Sequence, residues 1–462
     1  YKEQCNVKIH PLRVIHIYEP DYNYLIGIVW REAIQHAQKL GKINQGQYGG
    51  CPGRDCTSVT YLEELRRDVS ILTRTAYTNF DNDAASCYDR ILMAIASLSG
   101  RKYGVHKQVI YVHAATLEEA EYKLKLSSKT SNASYRHCKK FPIHGTGQGS
   151  GNSPMIWCFI SSILFDCHNQ KAHGLTTATP NGDVVVSFSI IGFVDDSTCV
   201  TGGKRGETVD QLLVRVKHDA QLWHDLLWAS GGKLELEKCG FHLIFYDFDN
   251  NGIPSMRKIS DLVITLENEK GEDIEIRTKK INEARKNLGH WKEPDEIKEP
   301  AQYLISKTTA TETSEAIFTA GVNRQEATVL YQGVFRPKVE YPLAQSFLTD
   351  TQVKKIESVS LPKILAKCGY NRATALPIRG GPKELGGVGF YSFLNTIGAA
   401  RVQHFLKNWR TPWEDIGKTL RIAMAWTQYT SGVSYPILTN TSQDLSYIKG
   451  RTILSVRKHL EE

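Results

Sequence analysis

Asp195 and Asp196 stand side by side between two apolar runs, 184–191 and 198–201. Strand, acidic turn, strand is the reading that this pattern supports. Two adjacent carboxylates on such a turn repel each other, and water or divalent cations must neutralise them. An exposed hairpin tip would meet that need with water alone. Asp83 shifts the balance, because it closes a second strand at 78–83. If the two strands are neighbours in one sheet, Asp83 and Asp195 can share a metal site. Hard carboxylate oxygens suit magnesium or manganese. Two such ions, about 3.5–4 Å apart, can activate an attacking hydroxyl and stabilise a leaving pyrophosphate. That chemistry is nucleotidyl transfer. Asp81 adds an acid on the same face as Asp83; the reading preferred for it is a solvated side chain.

The elements around these acids read as α/β from residue 58 onward. Before them, 14–18 alternates like a strand, and 25–40 carries apolar residues at helical spacing. A loop rich in turn formers follows at 45–54. Tyr61, Leu62, Leu65, Val69 and Leu72 form one helical face, and 88–98 reads as a helix stopping before Gly100. The stretch 109–112 reads as extended, and Thr116 with Glu119 reads as a capping box opening another helix. Gly145 to Gly151 is a glycine-rich loop before a long apolar helix that starts at Pro154. Pro180-Asn181-Gly182-Asp183 is a hairpin turn. The amphipathic stretch 208–228 ends at Gly231-Gly232. A strand pair runs over 262–276, and helical patterning dominates after about residue 300, most clearly at 351–365. The glycines at 380–389 lack a phosphate-loop signature and read as a tight structural loop.

At this point the chain resembles reverse transcriptases, the RNA-directed DNA polymerases, in the style of non-LTR (LINE-like) retrotransposons. Asp83-Ala84-Ala85-Ser86-Cys87-Tyr88-Asp89 is similar to their first palm motif, Asp-x4-Phe/Tyr-Asp. Gly145-Thr146-Gly147-Gln148-Gly149-Ser150-Gly151-Asn152-Ser153-Pro154 resembles their Pro-Gln-Gly loop, and Phe193-Val194-Asp195-Asp196 resembles their Phe/Tyr-x-Asp-Asp turn. Gly231-Gly232-Lys233-Leu234-Glu235-Leu236-Glu237-Lys238 resembles the next motif, and Asn287-Leu288-Gly289 the primer-grip hairpin. Pro11-Leu12-Arg13 and Gln47-Tyr48-Gly49 are similar to fingers patterns. The motifs fall in family order over roughly residues 8–291. Gly147 departs from the usual Pro, and Gly151-Asn152 from the common Pro-Leu; altered loop stiffness is expected, not loss.

The resemblance implies an α/β fold (an α+β palm): a right-hand polymerase with fingers, a palm bearing an antiparallel sheet, and a helical thumb. Its parts would be fingers at 1–75, palm with interleaved fingers segments at 76–265, a primer-grip region at 266–300, and thumb and downstream region at 301–462. The implied reaction is addition of dNTPs to a primer 3′-hydroxyl on an RNA or DNA template, as part of a retrotransposon. Asp83 and Asp195 would hold two Mg2+ or Mn2+ ions, with Asp196 in support and the Ala84 carbonyl completing one shell. Lys238 would protonate the pyrophosphate. Arg13 would contact the triphosphate, Tyr88 would lie under the incoming sugar, and Gln148 and Gly149 would touch template and nucleotide. Leu288 and Gly289 would grip the primer. Two other readings remain: an RNA-dependent RNA polymerase, against which Tyr88 argues, and a degenerate copy serving as a nucleic-acid-binding scaffold, against which the three retained acids argue.

Composition agrees with a globular chain. It has 462 residues, 41% hydrophobic and 23% charged, which excludes collagen-like, low-complexity and largely disordered classes. The net charge of +8 permits a polyanionic partner without demanding one. No apolar run is long enough to span a membrane. Ten cysteines, scattered and without a Cys-x-x-Cys pair, argue against a disulfide framework and for an intracellular setting, nucleus or cytoplasm. Cys51 and Cys56 could hold zinc with His137 or His144, but ordinary loop cysteines are the preferred reading. The chain starts at Tyr1 without Met and is expected to be a segment of something longer.

Overall fold

The computed structural model describes residues 15–84, 87–126, 128–138, 140, 143–251, 254–294 and 299–460. Along these run helices α1 (Pro20–Lys39) and α2 (Cys56–Thr73), strand β1 (Tyr77–Asp83), and helices α3 (Cys87–Arg90), α4 (Met93–Lys102) and α5 (Lys107–Glu119). Strands β2 (Tyr122–Leu126) and β3 (Lys129–Tyr135), helix α6 (Ser153–Lys171), and strands β4 (Leu175–Ala178), β5 (Val185–Phe188), β6 (Ile190–Phe193) and β7 (Asp196–Gly202) follow. Helix α7 (Val209–Ala229) precedes β8 (Gly240–Ile244), β9 (Tyr246–Phe248), β10 (Pro254–Met256), β11 (Val263–Glu267), β12 (Asp273–Lys279), β13 (Arg285–Asn287) and β14 (His290–Lys292). The rest is helical: α8 (Ala301–Thr319), α9 (Arg324–Leu330), α10 (Arg336–Ala344), α11 (Asp350–Lys367), α12 (Leu376–Gly380), α13 (Phe393–Trp409), α14 (Asp415–Ser431) and α15 (Thr452–Lys458).

Among the described residues, six strands form one sheet in the order β11-β12-β8-β1-β7-β6. The sheet is mixed, not purely antiparallel as expected: β12 joins β8 in parallel through Thr278 and Lys279, while the other pairings are antiparallel. Period-2 alternation along β1 sends Thr78, Phe80 and Asn82 to one face and Tyr77, Asn79, Asp81 and Asp83 to the other. On the first face, Phe80, Cys199 and Phe241 pack against Ile156 and Phe159 of α6 and Trp223 of α7. Asn82 is buried there, but Trp223 Nε1 (3.1 Å) and Ser197 Oγ (2.5 Å) both donate to it. On the second face, Tyr77, Val200 and Ile244 meet Leu62 and Leu65 of α2 and Leu420 of α14. Truncating a core aromatic such as Phe80 to Ala would cost about 3–5 kcal/mol. A separate core holds α8, α10, α11 and α13 together around Phe335, Ile356 and Phe393.

Local chemistry sets the element ends. Pro20 sits in the first turn of α1, whose Ile26, Trp30, Ile34 and Ala37 face inward at helical spacing. Asp55 caps α2 by accepting from Ser58 N at 2.7 Å. Thr208 and Gln211 form the capping box of α7.

Several expectations are corrected. Residues 15–19 form no strand, and the backbone N–H of His16 donates to the Gln148 carbonyl at 2.6 Å. Residues 109–112 lie inside α5, and Thr116 sits in its last turn, not at the start of a new helix. The expected helix at 88–98 is broken between Arg90 and Met93, and its second part runs through Gly100 to Lys102. Two glycine turns wedge into that break. Gly145 N donates to Ile91 O at 2.9 Å, and a Cβ on Gly231 would lie 2.5 Å from Arg90 O. The expected run 184–191 changes partner at Ser189, which Asn169 holds at 3.1 Å. Cys51 Sγ lies 3.4 Å from Cys158 Sγ, and Cys56 accepts from Tyr341 Oη at 3.1 Å, so the two loop cysteines do not join in a zinc set. No helix among the described residues is long and apolar enough to cross a membrane.

Candidate active site

The acids gather at one end of the sheet. β1 and β7 pair in register so that Asp83 lies directly across from Asp196. β6 and β7 form a tight hairpin in which Phe193 pairs with Asp196, leaving Val194 and Asp195 as the turn. Val194 takes φ +60°, a left-handed conformation that costs a β-branched residue about 1–3 kcal/mol. Its surroundings impose it. Trp157 Nε1 donates to Val194 O at 2.5 Å, and the Gly49 backbone presses so close that a Cβ there would lie 2.2 Å from Val194 N. The Gln47-Tyr48-Gly49 loop is itself stitched to β6, with Tyr48 N on Gly192 O at 3.0 Å. This bracing fixes where Asp195 stands.

Electrostatics show how crowded the three carboxylates are. The Asp196 carboxyl is raised above the usual range, first by partial loss of water in the cleft despite its open side, then by Asp195 and Asp83. Lys286 opposes that rise. Lys238 Nζ lies 3.1 Å from Asp83 Oδ2, and this pairing raises the lysine. Both side chains are largely open to water, so the pair contributes little stability. The stretch carrying Lys238 is fixed beside β1: Glu235 N donates to Asp83 O at 2.9 Å, and Ala84 bridges to Leu234. Three carboxylates at one end of the sheet, each adding to the negative charge around the others, offer hard oxygen donors of the type magnesium and manganese take, although their oxygens are not drawn together as a closed ligand set.

Tyr88 and the glycine-rich loop sit together. Thr146 N donates to Tyr88 O at 2.8 Å, and a Cβ on Gly145 would lie 2.6 Å from that same oxygen. The Gln148 amide donates to Asp89 Oδ2 at 3.4 Å. Gly149 has φ +114°, and a Cβ there would lie 2.2 Å from His16 O. Gly147 has φ +78°, which proline with its fixed negative φ cannot adopt, so this loop takes its own path where the family pattern has Pro.

Leu288 and Gly289 form the turn of the β13–β14 hairpin with φ +47° and +84°, a primed turn suited to strand twist. Tyr341 Oη donates to Leu288 O at 2.7 Å. The hairpin is anchored through Arg285, which pairs with Asp81 and with Glu63 (3.0 Å). Asp81 is therefore not the solvated acid expected: Arg285 of the hairpin pairs with it, while Asp83, further along the same face, stays open to water. Arg13 lies outside the described residues, as do Ala85 and Ser86.

Sequence reasoning missed Lys286, Trp157 and Gly49 as supports of the acids. Two of them left a trace: Gly49 closes the Gln47-Tyr48-Gly49 pattern, though that pattern carries no sign of a link to the acids, and Lys286 is two residues before the Leu288-Gly289 pair that the resemblance singled out.

No family model matches the chain, and no curated protein sequence matches it. Among solved structures, it is similar to telomerase from Candida tropicalis in complex with a TWJ fragment of telomeric RNA, at 13% identity over 88% of this chain and 57% of that one, with TM-score 0.37. Telomerase from Candida albicans in complex with a TWJ fragment of telomeric RNA gives 11% identity over 94% and 57%, with TM-score 0.33. Apo telomerase from Candida tropicalis gives 13% identity over 86% and 60%, with TM-score 0.29. The chain spans less than two thirds of the length of each of these structures.

Proposed function

We propose that this chain is the polymerase part of a reverse transcriptase of the non-LTR retrotransposon kind, adding dNTPs to a DNA primer on an RNA or DNA template. The observation that carries the reading is the in-register pairing of Asp83 with Asp196 beside the strained turn that presents Asp195. In this reading the sheet belongs to the palm of a right-hand polymerase, the N-terminal helices to the fingers, and the helical region from about residue 301 to the thumb. An intracellular setting, nucleus or cytoplasm, goes with it.

Asp83 and Asp195 would hold two Mg2+ or Mn2+ ions, with Asp196 and the Ala84 carbonyl in support. When bound, the ions would supply charge stabilisation for an in-line displacement at the α-phosphate. Lys238, now on Asp83, would be released as a cation within reach of the pyrophosphate, to which it can give a proton. Tyr88, held by the Gly145–Gly149 loop, would close against the sugar C2′. Gln148 would exchange its Asp89 contact for the template or nucleotide. Lys286 and the Leu288-Gly289 turn would hold the primer end beside the acids.

Extension of a DNA primer on an RNA template, with dNTPs and magnesium or manganese, tests the reading. Asp195→Asn should remove essentially all extension while near-UV circular dichroism and thermal unfolding stay close to wild type. Near-normal extension by that variant, or use of rNTPs as readily as dNTPs by the wild type, would overturn it.

A further inference from the structure

Away from the acids, three ligand-type side chains converge on one point. His173 follows α6, and His218 and Asp219 lie in the middle of α7. His173 Nδ1 is 2.8 Å and His218 Nδ1 is 3.0 Å from the same Asp219 oxygen, Oδ1. The two rings stand edge to face with centroids 4.8 Å apart. Asp219 is buried, at 1% side-chain exposure, whereas His173 and His218 keep 36% and 50%. The site therefore has a fixed floor and an open mouth.

We propose that His173, His218 and Asp219 form a binding site for one divalent transition-metal ion of the zinc class. Two imidazoles and one carboxylate are a donor set that zinc takes readily, with water in the remaining position. Tetrahedral ligands at about 2.0–2.1 Å from the ion stand about 3.3 Å apart. The two histidine–carboxylate distances need to lengthen by only a few tenths of an ångström to reach that spacing, and all three ligand atoms lie within 4.8 Å of one another. The floor is already oriented as metal-binding carboxylates are. Asp219 Oδ2 accepts from Thr201 Oγ1 at 2.7 Å and from Gly174 N at 3.3 Å, which turns Oδ1 toward the histidines. The His173 backbone N–H also donates to Oδ1 at 2.9 Å, and His168 Nε2 meets the Asp219 carbonyl at 3.0 Å.

The place of the site gives it a structural role. Thr201 is near the far end of β7 from Asp196, five residues or about 17 Å along the strand. An ion there ties the α6–β4 connection to α7, the helix that backs the sheet, without touching the proposed catalytic acids. It stands whether or not the polymerase reading holds.

Titration of the full chain with zinc, in millimolar magnesium to occupy carboxylate-only sites, tests the proposal. One zinc ion per chain is expected to bind with micromolar or tighter affinity. His173→Ala and His218→Ala should each weaken it at least about tenfold. Cobalt in place of zinc should give the visible absorption of a four-coordinate ion without a thiolate charge-transfer band. His218→Gln, a milder change at the more exposed ring, guards against misfolding. Equal zinc uptake by the wild type and the double variant H173A/H218A, or no uptake by the wild type, overturns the proposal.

Discussion

Arg285 is the residue whose loss should most clearly separate architecture from chemistry. Its side chain is 8% exposed and is shared between Asp81 and Glu63. Burial pushes the Asp81 carboxyl up and Arg285 only partly offsets this. For Glu63, burial also pushes upward, but Arg285 and Lys292 overcome it and leave the carboxyl below its usual range. Arg285→Met keeps the volume and removes the cation. Breaking a buried pair from one side costs about 3–5 kcal/mol, because the remaining carboxylates stay buried without their partner. The pH dependence has a definite sign. In the wild type, the depressed Glu63 contributes stability that is present above its unfolded value and lost as pH falls through the folded value. In Arg285→Met, Asp81 rises further above its unfolded value, so the folded state holds that proton more tightly. The variant's deficit should be smallest in acid and grow as pH rises toward the variant's folded value, by about 1.4 kcal/mol for each tenfold gain in the carboxyl's proton affinity. Urea unfolding at about pH 5 and pH 8 measures this. Because Arg285 also anchors the hairpin that presents Lys286, the KM for primer–template should rise in Arg285→Lys, which keeps the charge but not the two-pronged geometry. A loss below about 1 kcal/mol, or the same loss at both pH values, would refute the assignment of Arg285 as the cation that makes this carboxylate pair tolerable.

Further outcomes can be checked alongside. Gly49→Ala places a methyl group 2.2 Å from Val194 N and must move the turn that carries Asp195; a displacement near 1 Å should lower kcat about 100-fold while the chain still folds. Tyr88→Val should raise kcat/KM for CTP relative to dCTP on one RNA template, whereas an unchanged ratio would remove Tyr88 as the gate against ribose. Gln148→Ala, which gives up the Asp89 contact and any bond to the nucleotide, should lower kcat/KM for dNTP about 5- to 150-fold through loss of about 1–3 kcal/mol.

The elements most legible in the sequence were those with strong periodicity. The amphipathic α7 and the strand ending at Asp83 stand within a residue of where the pattern put them, whereas α1 follows its stripe but begins five residues earlier, at Pro20, and the pattern does not single out the Thr208 cap of α7. Errors fell where neighbours override local preference. The β-branched run at 109–112 became helix because Ile110 packs into the core beside Trp30 and Tyr103. The 88–98 helix broke because the Gly145 and Gly231 turns need the space at its middle. Neither cause can be read from the residues that changed state. The proposed site divides along the same line. Acids on a turn announce themselves by type and adjacency, whereas Trp157 and Arg285, which help to aim them, are ordinary in sequence and act only through contacts distant along the chain; Gly49 stood in a recognised pattern, but its contact with Val194 was not legible there.

The largest surprise is α2, and it explains how the acids are held in place. One apolar face was visible in the sequence, yet its charged face is buried as well: Glu63, Glu64, Arg66, Arg67 and Asp68 are all below one tenth exposed. Charges are seldom buried without partners. Here the partners come from two distant segments. Lys292 of the β13–β14 hairpin reaches Glu64 at 3.1 Å, and Arg451 reaches the same carboxylate at 2.8 Å. Asp68 accepts from the backbone N–H groups of Arg451 and Thr452 at 2.9 and 2.6 Å, capping α15. Arg66 is the exception: its Nε and Nη1 are buried without a hydrogen-bond partner among the described residues, and its guanidinium lies over the Phe188 ring. A helix whose acidic side chains are paired by the hairpin on one side and by the C-terminal helix on the other specifies the position of both. Apolar contacts alone would let the hairpin slide along the sheet; directional ion pairs do not. Since Arg285 and Lys286 are neighbours on one strand, fixing the first against α2 and Asp81 fixes the second beside Asp196. The buried charges of α2 and the exposed charges of the proposed active site are therefore parts of one arrangement, joined through a three-residue strand.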